Sequence, residues 1–390
     1  MIQVEKIAFN RPYLRGKEKE YLLNAFEQAS LQGDGYYTKK VSNFLQKNFA
    51  FSHVLMTTSG SHALELAVQT AGLGPGDEVI MPSFTFTSTA NAVLNQGATP
   101  VFAELKSDTL NLDPTDLLAK ITKRTKAVIP VHYGGIVCEM KKINAIAHEH
   151  NLIVIEDAAH ALNSSYYGKA AGSLGDFGCF SFHASKNFCC GEGGALVINS
   201  QQPELWEKAE IIREKGTNRS QFLRGEIDKY SWISPGSSYL PADILMALLL
   251  GQLENKTRIT YLREKIHKFY FTNLQEFLTG DLLQGMSFIP KGRSSNYHIF
   301  FLRVKNKRLR DYILQQLKEA GISATFHFQP LHASKMGSKL GYKAADLPLS
   351  NEAAQTLIRL PIYPDLTKSA QTYIISKLRD IFLNLQRAGA

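Results

Sequence analysis

The stretch Gly178-Cys-Phe-Ser-Phe-His-Ala-Ser-Lys-Asn-Phe-Cys-Cys-Gly-Glu-Gly-Gly194 decides the fold. It starts as an aromatic, β-prone run, passes through Lys186, and ends in a glycine cluster that leads into Ala195-Leu-Val-Ile198. Too few residues separate Phe177–His183 from Ala195–Ile198 to hold a crossover helix, so these two strands should run antiparallel. Upstream, the short apolar runs His53–Thr57, Glu78–Pro82, Thr99–Ala103, Ala127–Val131 and Leu152–Glu156 alternate with helix-like stretches. Ser61–Gly72 has a Ser start and a Gly stop, and Glu139–His150 repeats apolar residues at helical spacing. Such alternation predicts right-handed βαβ units and a parallel sheet with one reversed strand. Lys186 falls in the connection that makes the reversal.

An amine fixed at a strand-to-turn edge can be desolvated, which makes Lys186 a candidate Schiff-base lysine. The run Leu152-Ile-Val-Ile155 ends in Glu156-Asp157-Ala-Ala-His160, placing a carboxylate at the carboxyl edge of a buried strand. Open α/β sheets put their ligand chemistry there. Asp157 and Lys186 together suggest pyridoxal 5'-phosphate, whose ring nitrogen wants a carboxylate and whose aldehyde wants an amine. Thr57-Thr-Ser-Gly-Ser-His-Ala63 offers a strand end, a turn and a helix start, so Gly60 and Ser61 are candidate phosphate donors; the alternative is a plain Ser N-cap. Ser181 could add a hydroxyl. Phe86, chosen over Phe84, is a candidate stacking ring or a core residue. His160 either orients the cofactor or Asp157, or is a satisfied polar group, and His132 and His183 share that ambiguity. Gly191, Gly193 and Gly194 are read as serving a tight turn.

The chain of 390 residues is long enough for two cores. The expected division is a large domain over 1–250 and a smaller α/β domain over 251–390. Pro203–Lys215 reads as an amphipathic helix, and Pro241–Phe277 as a long helix or a helix pair. His298–Val304 reads as a strand and Arg310–Gly321 as a helix. The polar segment Gly216–Ser238 between them reads as functional or as an inter-subunit arm. A formal charge of +9 fits anionic small-molecule substrates or a surplus of solvated lysine; no recognition-helix pattern points to nucleic acid. Cys138, Cys179, Cys189 and Cys190 show neither CxxC nor zinc spacing. With no leader-like start at Met1-Ile-Gln-Val-Glu-Lys6 and no long apolar run, a reduced cytoplasmic setting without a membrane span is expected.

These residues resemble the DegT/DnrJ/EryC1/StrS sugar aminotransferases, which are fold type I pyridoxal-phosphate enzymes of the aspartate aminotransferase-like class. The matching elements are Gly33-Asp-Gly35, Ser59-Gly-Ser61, Met81–Phe86, Pro130-Val-His-Tyr133, Glu156–His160, Ser181–Lys186 and Gly191-Glu-Gly-Gly194. Carried over, the resemblance implies that Lys186 bears the cofactor and moves the proton, Asp157 pairs with its ring nitrogen and Phe86 stacks on it. Gly60, Ser61 and Ser181 hold its phosphate. The family often has Gly-x-Asn-Tyr where this chain has Gly236-Ser-Ser-Tyr239, so Ser238 replaces an asparagine that reaches the phosphate from a neighbouring subunit. That implies a homodimer with shared sites.

A narrower similarity, through Arg213–Phe222, Asp228-Lys-Tyr230, Gly236–Tyr239, Asn296-Tyr-His298 and Arg359-Leu-Pro361, points to the branch acting on TDP-4-oxo-6-deoxy-D-glucose. It implies L-glutamate as donor and TDP-4-amino-4,6-dideoxy-D-galactose as product. Lys215, Arg219 and Tyr239 become candidate substrate contacts, although Lys215 and Arg219 are equally readable as surface charges. The competing expectations are a 3-oxo-sugar aminotransferase and a regulatory protein that binds the cofactor without turnover. A C-3 dehydratase of the same fold carries histidine at the Lys186 position and is disfavoured.

Overall fold

The computed structural model describes residues 6–29, 31–200, 202–279 and 282–387. The amino-terminal stretch Met1–Glu5, part of the leader reading, lies outside the described residues. Seven strands form the main sheet: β1 (His53–Thr57), β2 (Glu78–Pro82), β3 (Thr99–Ala103), β4 (Thr125–Val128), β5 (Ile153–Asp157), β6 (Phe177–Ser181) and β7 (Gly194–Ile198). Their order is β1-β7-β6-β5-β4-β2-β3. β7 runs antiparallel to both neighbours, pairing Ser181 and Thr57 with Gly194, and the other pairings are parallel. The expected single reversal is present. Pro100 sits in β3, an edge strand, where a missing N–H costs the ladder least.

The sheet is buried on both faces, which is why its strands are continuous apolar runs. Along β5, Val154 packs into one core with helices Tyr36–Phe49, Met140–Glu149 and Asp243–Glu254. Ile155 packs into the opposite core with α1 (Gly60–Thr70) and α2 (Thr87–Leu94). Helices Glu18–Glu27 and Tyr36–Phe49 went unread in the sequence; the first has half of its residues exposed and only two buried, so its apolar stripe is weak.

The stretch Pro241–Phe277 forms two helices, Asp243–Glu254 and Lys256–Leu274, meeting at Asn255. The second crosses between cores: Ile259 belongs with the main sheet, whereas Ile266, Tyr270 and Leu274 belong with a separate antiparallel sheet. That sheet orders β8 (Leu283–Met286), β9 (Phe300–Val304) and β10 (Leu357–Leu360), covered by Lys307–Glu319 and Lys368–Arg387. A further cluster joins Phe84 and Tyr133 to Ile299, Phe301 and Leu357, closing the second sheet against the carboxyl edge of the first. The candidate site lies at this seam.

Candidate active site

Side chains alternate along a strand, so the adjacent acids at the end of β5 point opposite ways. Glu156, fully buried, accepts hydrogen bonds from the backbone N–H groups of Gly172 (2.8 Å), Leu174 (2.6 Å) and Gly175 (2.7 Å). It also meets His132 Nε2 at 2.8 Å, and His132 Nδ1 accepts from the Cys138 N–H at 3.2 Å. That pair is structural and locks β5. Asp157 instead faces a cavity of about 830 Å³. Its Oδ2 accepts from the Thr89 hydroxyl at 2.8 Å, which also meets the Thr85 hydroxyl at 2.9 Å, and its Oδ1 accepts from the Ala159 N–H at 3.2 Å. Burial raises the Asp157 carboxyl above its ordinary range against the pull of these donors and of Lys186.

The loop carrying Lys186 is tied off at its base. Phe182 N–H donates to Gly193 O, Cys190 N–H to Phe182 O, and Ala184 N–H to Gly191 O, at 2.8, 2.9 and 2.9 Å. The closed loop projects Lys186 into the same cavity as Asp157. Burial lowers its ammonium to about 8; Asp157 opposes the shift and Arg359 adds to it. An amine so held keeps a reactive free-base fraction near neutral pH.

The remaining walls complete the cradle. Ser59 caps α1, its hydroxyl accepting from the His62 N–H at 3.1 Å, so the first turn presents Gly60 and Ser61 to the cavity. A Cβ on Gly60 would stand 2.7 Å from the Ser181 Cβ, and one on Gly194 would stand 2.2 Å from Ser59 O. Glycine is therefore what lets α1, β6 and β7 converge. The Ser61 and Ser88 hydroxyls meet at 2.6 Å. Phe86 is 60% exposed on the cavity wall, whereas Phe84 is buried in the core. His160 lines the cavity with its ring centroid 4.6 Å from that of His298. Burial holds both histidines, and His327 beside them, well below the ordinary range, so all three are neutral.

The structure thus gathers Lys186, Asp157, Gly60, Ser61, Phe86, His160 and Ser181 around one cavity. It leaves four expected residues outside. Lys215, just before the polar segment, and Ser238, at its end, are exposed, and Arg219 pairs with Glu214 at 2.6 Å. Tyr239 corrects the reading made for it: it is buried, packs on His62, and bonds Gln69 and Glu65 through its hydroxyl. Its role within the chain is to brace α1 from behind. Thr89, Arg263, His298, His327 and Arg359 were missed as site residues. Thr89 had a local signal, the hydroxyl-rich run following β2, and His298 and Arg359 fell in the runs that carry the narrower similarity without being assigned to the site.

The residues present fit a pyridoxal phosphate. A carboxylate raised by burial is short of a cation that a ring nitrogen would supply, a half-buried amine is short of an electrophile, and a helix start with two serines awaits an anion. Fold and site together define a pyridoxal-phosphate-dependent transferase. The chain belongs to the DegT/DnrJ/EryC1/StrS aminotransferase family, whose model matches residues 12–379. It is 37% identical over 356 residues to the spore coat polysaccharide biosynthesis protein SpsC of Bacillus subtilis, covering 88% of this chain and 89% of that one. Identity to GDP-perosamine synthase of Caulobacter vibrioides is 31% over 388 residues, 98% of this chain and all of the other. Among solved structures, Spr1654 from Streptococcus pneumoniae superposes in its PLP form at a TM-score of 0.89 with 26% identity, covering 97% of this chain and 99% of that one. Pyridoxal phosphate is the cofactor, and the family's activity is sugar amino transfer.

Proposed function

We propose that this protein transfers the amino group of L-glutamate to C4 of dTDP-4-dehydro-6-deoxy-D-glucose, giving dTDP-4-amino-4,6-dideoxy-D-galactose and 2-oxoglutarate. The observation that carries the reading is the pairing of a half-buried Lys186 with a buried Asp157 in a cavity with room for a sugar beside the cofactor. The choice of C4 rests on the similarity through Arg213–Tyr239. Bound pyridoxal phosphate supplies an electrophilic carbon for amines and a ring that withdraws electrons from the carbon next to nitrogen. Lys186 gives and takes the proton at its Nζ, aided by its lowered ammonium value. Asp157, oriented by Thr89 and Ala159, holds positive charge at the ring nitrogen. Gly60, Ser61 and Ser181 hold the phosphate, Phe86 packs on the ring, and His160, as a neutral group, orients it.

The segment 216–238 is read as reaching a second copy, with Ser238, Lys215 and Arg219 serving the partner's cavity. Its support is the exposure of Trp232 (78%), Ile233 and Tyr230, a surface suited to covering. No helix among the described residues is long and apolar enough to cross a membrane, and all four cysteines are free and buried, in keeping with a cytoplasmic setting.

The test is incubation of the holoenzyme with glutamate and either the 4-oxo or a 3-oxo nucleotide sugar, followed by product structure. A 4-amino product sustains the reading. A 3-amino product replaces it with the 3-oxo alternative, and a cofactor absorption band indifferent to glutamate and both sugars supports a regulatory binding protein.

A further inference from the structure

We infer that His298 is a positioning residue for Lys186: its ring gives its one hydrogen, on Nδ1, to Asn187 and offers a bare Nε2 to the cavity as acceptor for the Lys186 amine. The role rests on Lys186 being the amine that reacts in the proposed transfer. Asn187 directly follows Lys186 in the loop. Its Nδ2 donates to Asn296 O at 2.7 Å, so the atom that faces His298 Nδ1, at 2.9 Å, is the carbonyl oxygen Oδ1. An oxygen there can only accept, which puts the hydrogen on Nδ1. Desolvation holds the ring neutral, so Nε2 keeps its lone pair. Lys186, His160, His327 and Arg263 are the charged or titratable groups that face the ring, and each opposes a second proton on it.

The turn that carries His298 is fixed from several sides. Asn296 Nδ2 donates to His160 O and Leu162 O, at 2.8 and 2.9 Å, and its Oδ1 accepts from the His298 N–H at 3.1 Å. Arg263 donates from Nε to Tyr297 O and from Nη2 to His298 O, at 3.0 and 2.7 Å. His298 and Lys186 both line the main cavity and a small recess beside it, which Asn187, Phe188 and Asn296 also wall. The imidazole is thus held against the loop from which the amine projects.

Among the described residues, the one hydrogen bond that Lys186 donates comes from its backbone N–H, to His183 O at 2.8 Å. Whenever its side chain is not bonded to the cofactor, the amine hydrogens need an acceptor in a half-buried place. Asp157 is committed to Thr89, Ala159 and the ring nitrogen. His160 Nδ1 accepts from the Gly134 N–H at 3.4 Å, so the neutral ring carries its hydrogen on Nε2. His327 Nδ1 lies 3.0 Å from the Tyr133 hydroxyl, which has no other partner among the described residues and therefore donates; its Nε2 also carries the hydrogen. Of the three histidines, only His298 brings a lone pair to the cavity. An amine hydrogen given to it leaves the lone pair of Lys186 Nζ free for the proton that this nitrogen moves.

Two substitutions separate the two ring nitrogens. His298→Asn sets an amide where Nδ1 stands and keeps the tie to Asn187, whereas His298→Gln sets an amide oxygen where Nε2 stands and keeps the acceptor. The full chain, stripped of cofactor, is mixed with pyridoxal phosphate across a pH series, and the rate of the absorbance change reports the fraction of Lys186 present as free amine. The wild-type midpoint is expected near 8. His298→Asn should lower it by about one pH unit, because an ammonium gains more from an acceptor than an amine does, and His298→Gln should leave it in place. Midpoints unchanged in both variants overturn the inference, as does a rise toward the ordinary lysine value, the mark of a site merely loosened and hydrated. A shift in His298→Gln alone also overturns it, since the effect would then belong to the Asn187 tie. ¹⁵N NMR of histidine-labelled holoenzyme, with His298 assigned by the signal that either variant lacks, should show hydrogen on Nδ1 and none on Nε2; the reverse overturns the inference even where one variant does not fold. A Lys186→Met chain that gives the same absorbance change as wild type sinks the aminotransferase reading itself, an outcome distinct from all of these.

Discussion

Replacing Lys186 with methionine should make the cofactor-free protein more stable while abolishing its amino transfer. Lowering the ammonium from 10.5 to about 8 means that the folded protein pays for holding a proton that the unfolded chain holds freely. At about 1.4 kcal/mol per pH unit, the cost is about 3 kcal/mol. Methionine keeps the length of the side chain without the charge, but Asp157 then loses a cation, so a net gain of about 1–3 kcal/mol is expected at pH 7. The pH dependence gives the signature. Between the folded value near 8 and the unfolded value near 10.5 the unfolded chain binds more protons, so wild-type stability rises with pH across that window. The penalty is complete below pH 8 and gone above pH 10.5. Urea unfolding of wild type and Lys186→Met, both stripped of cofactor, at pH 7, 9 and 10.5 measures the gap. A variant less stable than wild type at pH 7, or a gap that does not shrink as pH rises, refutes the placement of this amine in a desolvated site.

Asp157→Asn should retain cofactor and fold but turn over about 10²–10⁴-fold more slowly, because the ring nitrogen loses its charge partner; near-normal turnover would show that another group serves that nitrogen. Glu156→Gln should cost about 3 kcal/mol in urea unfolding, since an amide must turn its NH₂ toward one of the buried N–H donors that the carboxylate now accepts. A loss below about 1 kcal/mol would contradict the structural role given to it. Gly194→Ala places a methyl carbon 2.2 Å from Ser59 O, and should either prevent accumulation of folded protein or sharply weaken cofactor binding by displacing the α1 start. Unchanged cofactor affinity would count against that convergence.

The sheet was legible because its strands, buried on both faces, are short apolar runs that sequence alone exposes. The reversal at β7 followed from the short distance between Ser181 and Gly194. The half of the site built on strand ends, Lys186, Asp157, Gly60, Ser61, Phe86 and Ser181, could be named for the same reason: each lies at the carboxyl end of a strand or in the short turn after it. The opposite wall could not. Arg359 comes from a second sheet whose strands β8 and β10 have four residues each, and Thr325–Gln329 from the irregular segment bridged to it at Thr325; nothing local marks Arg359 as facing the cavity. Tyr239 was misplaced because a tyrosine at the end of a polar segment reads as a surface contact, whereas the backbone bond from Thr58 N–H to Tyr239 O draws it under α1.

On the proposed function, Lys186 and Asp157 serve amination at C4 of a nucleotide-linked 4-oxo-6-deoxy sugar. The most direct measurement is the structure of the product formed from dTDP-4-dehydro-6-deoxy-D-glucose and ¹⁵N-glutamate. The expected product carries ¹⁵N bonded to C4, with 2-oxoglutarate formed in equal amount. Label at C3, or a ketosugar recovered unchanged while the holoenzyme binds it, would contradict amination at C4.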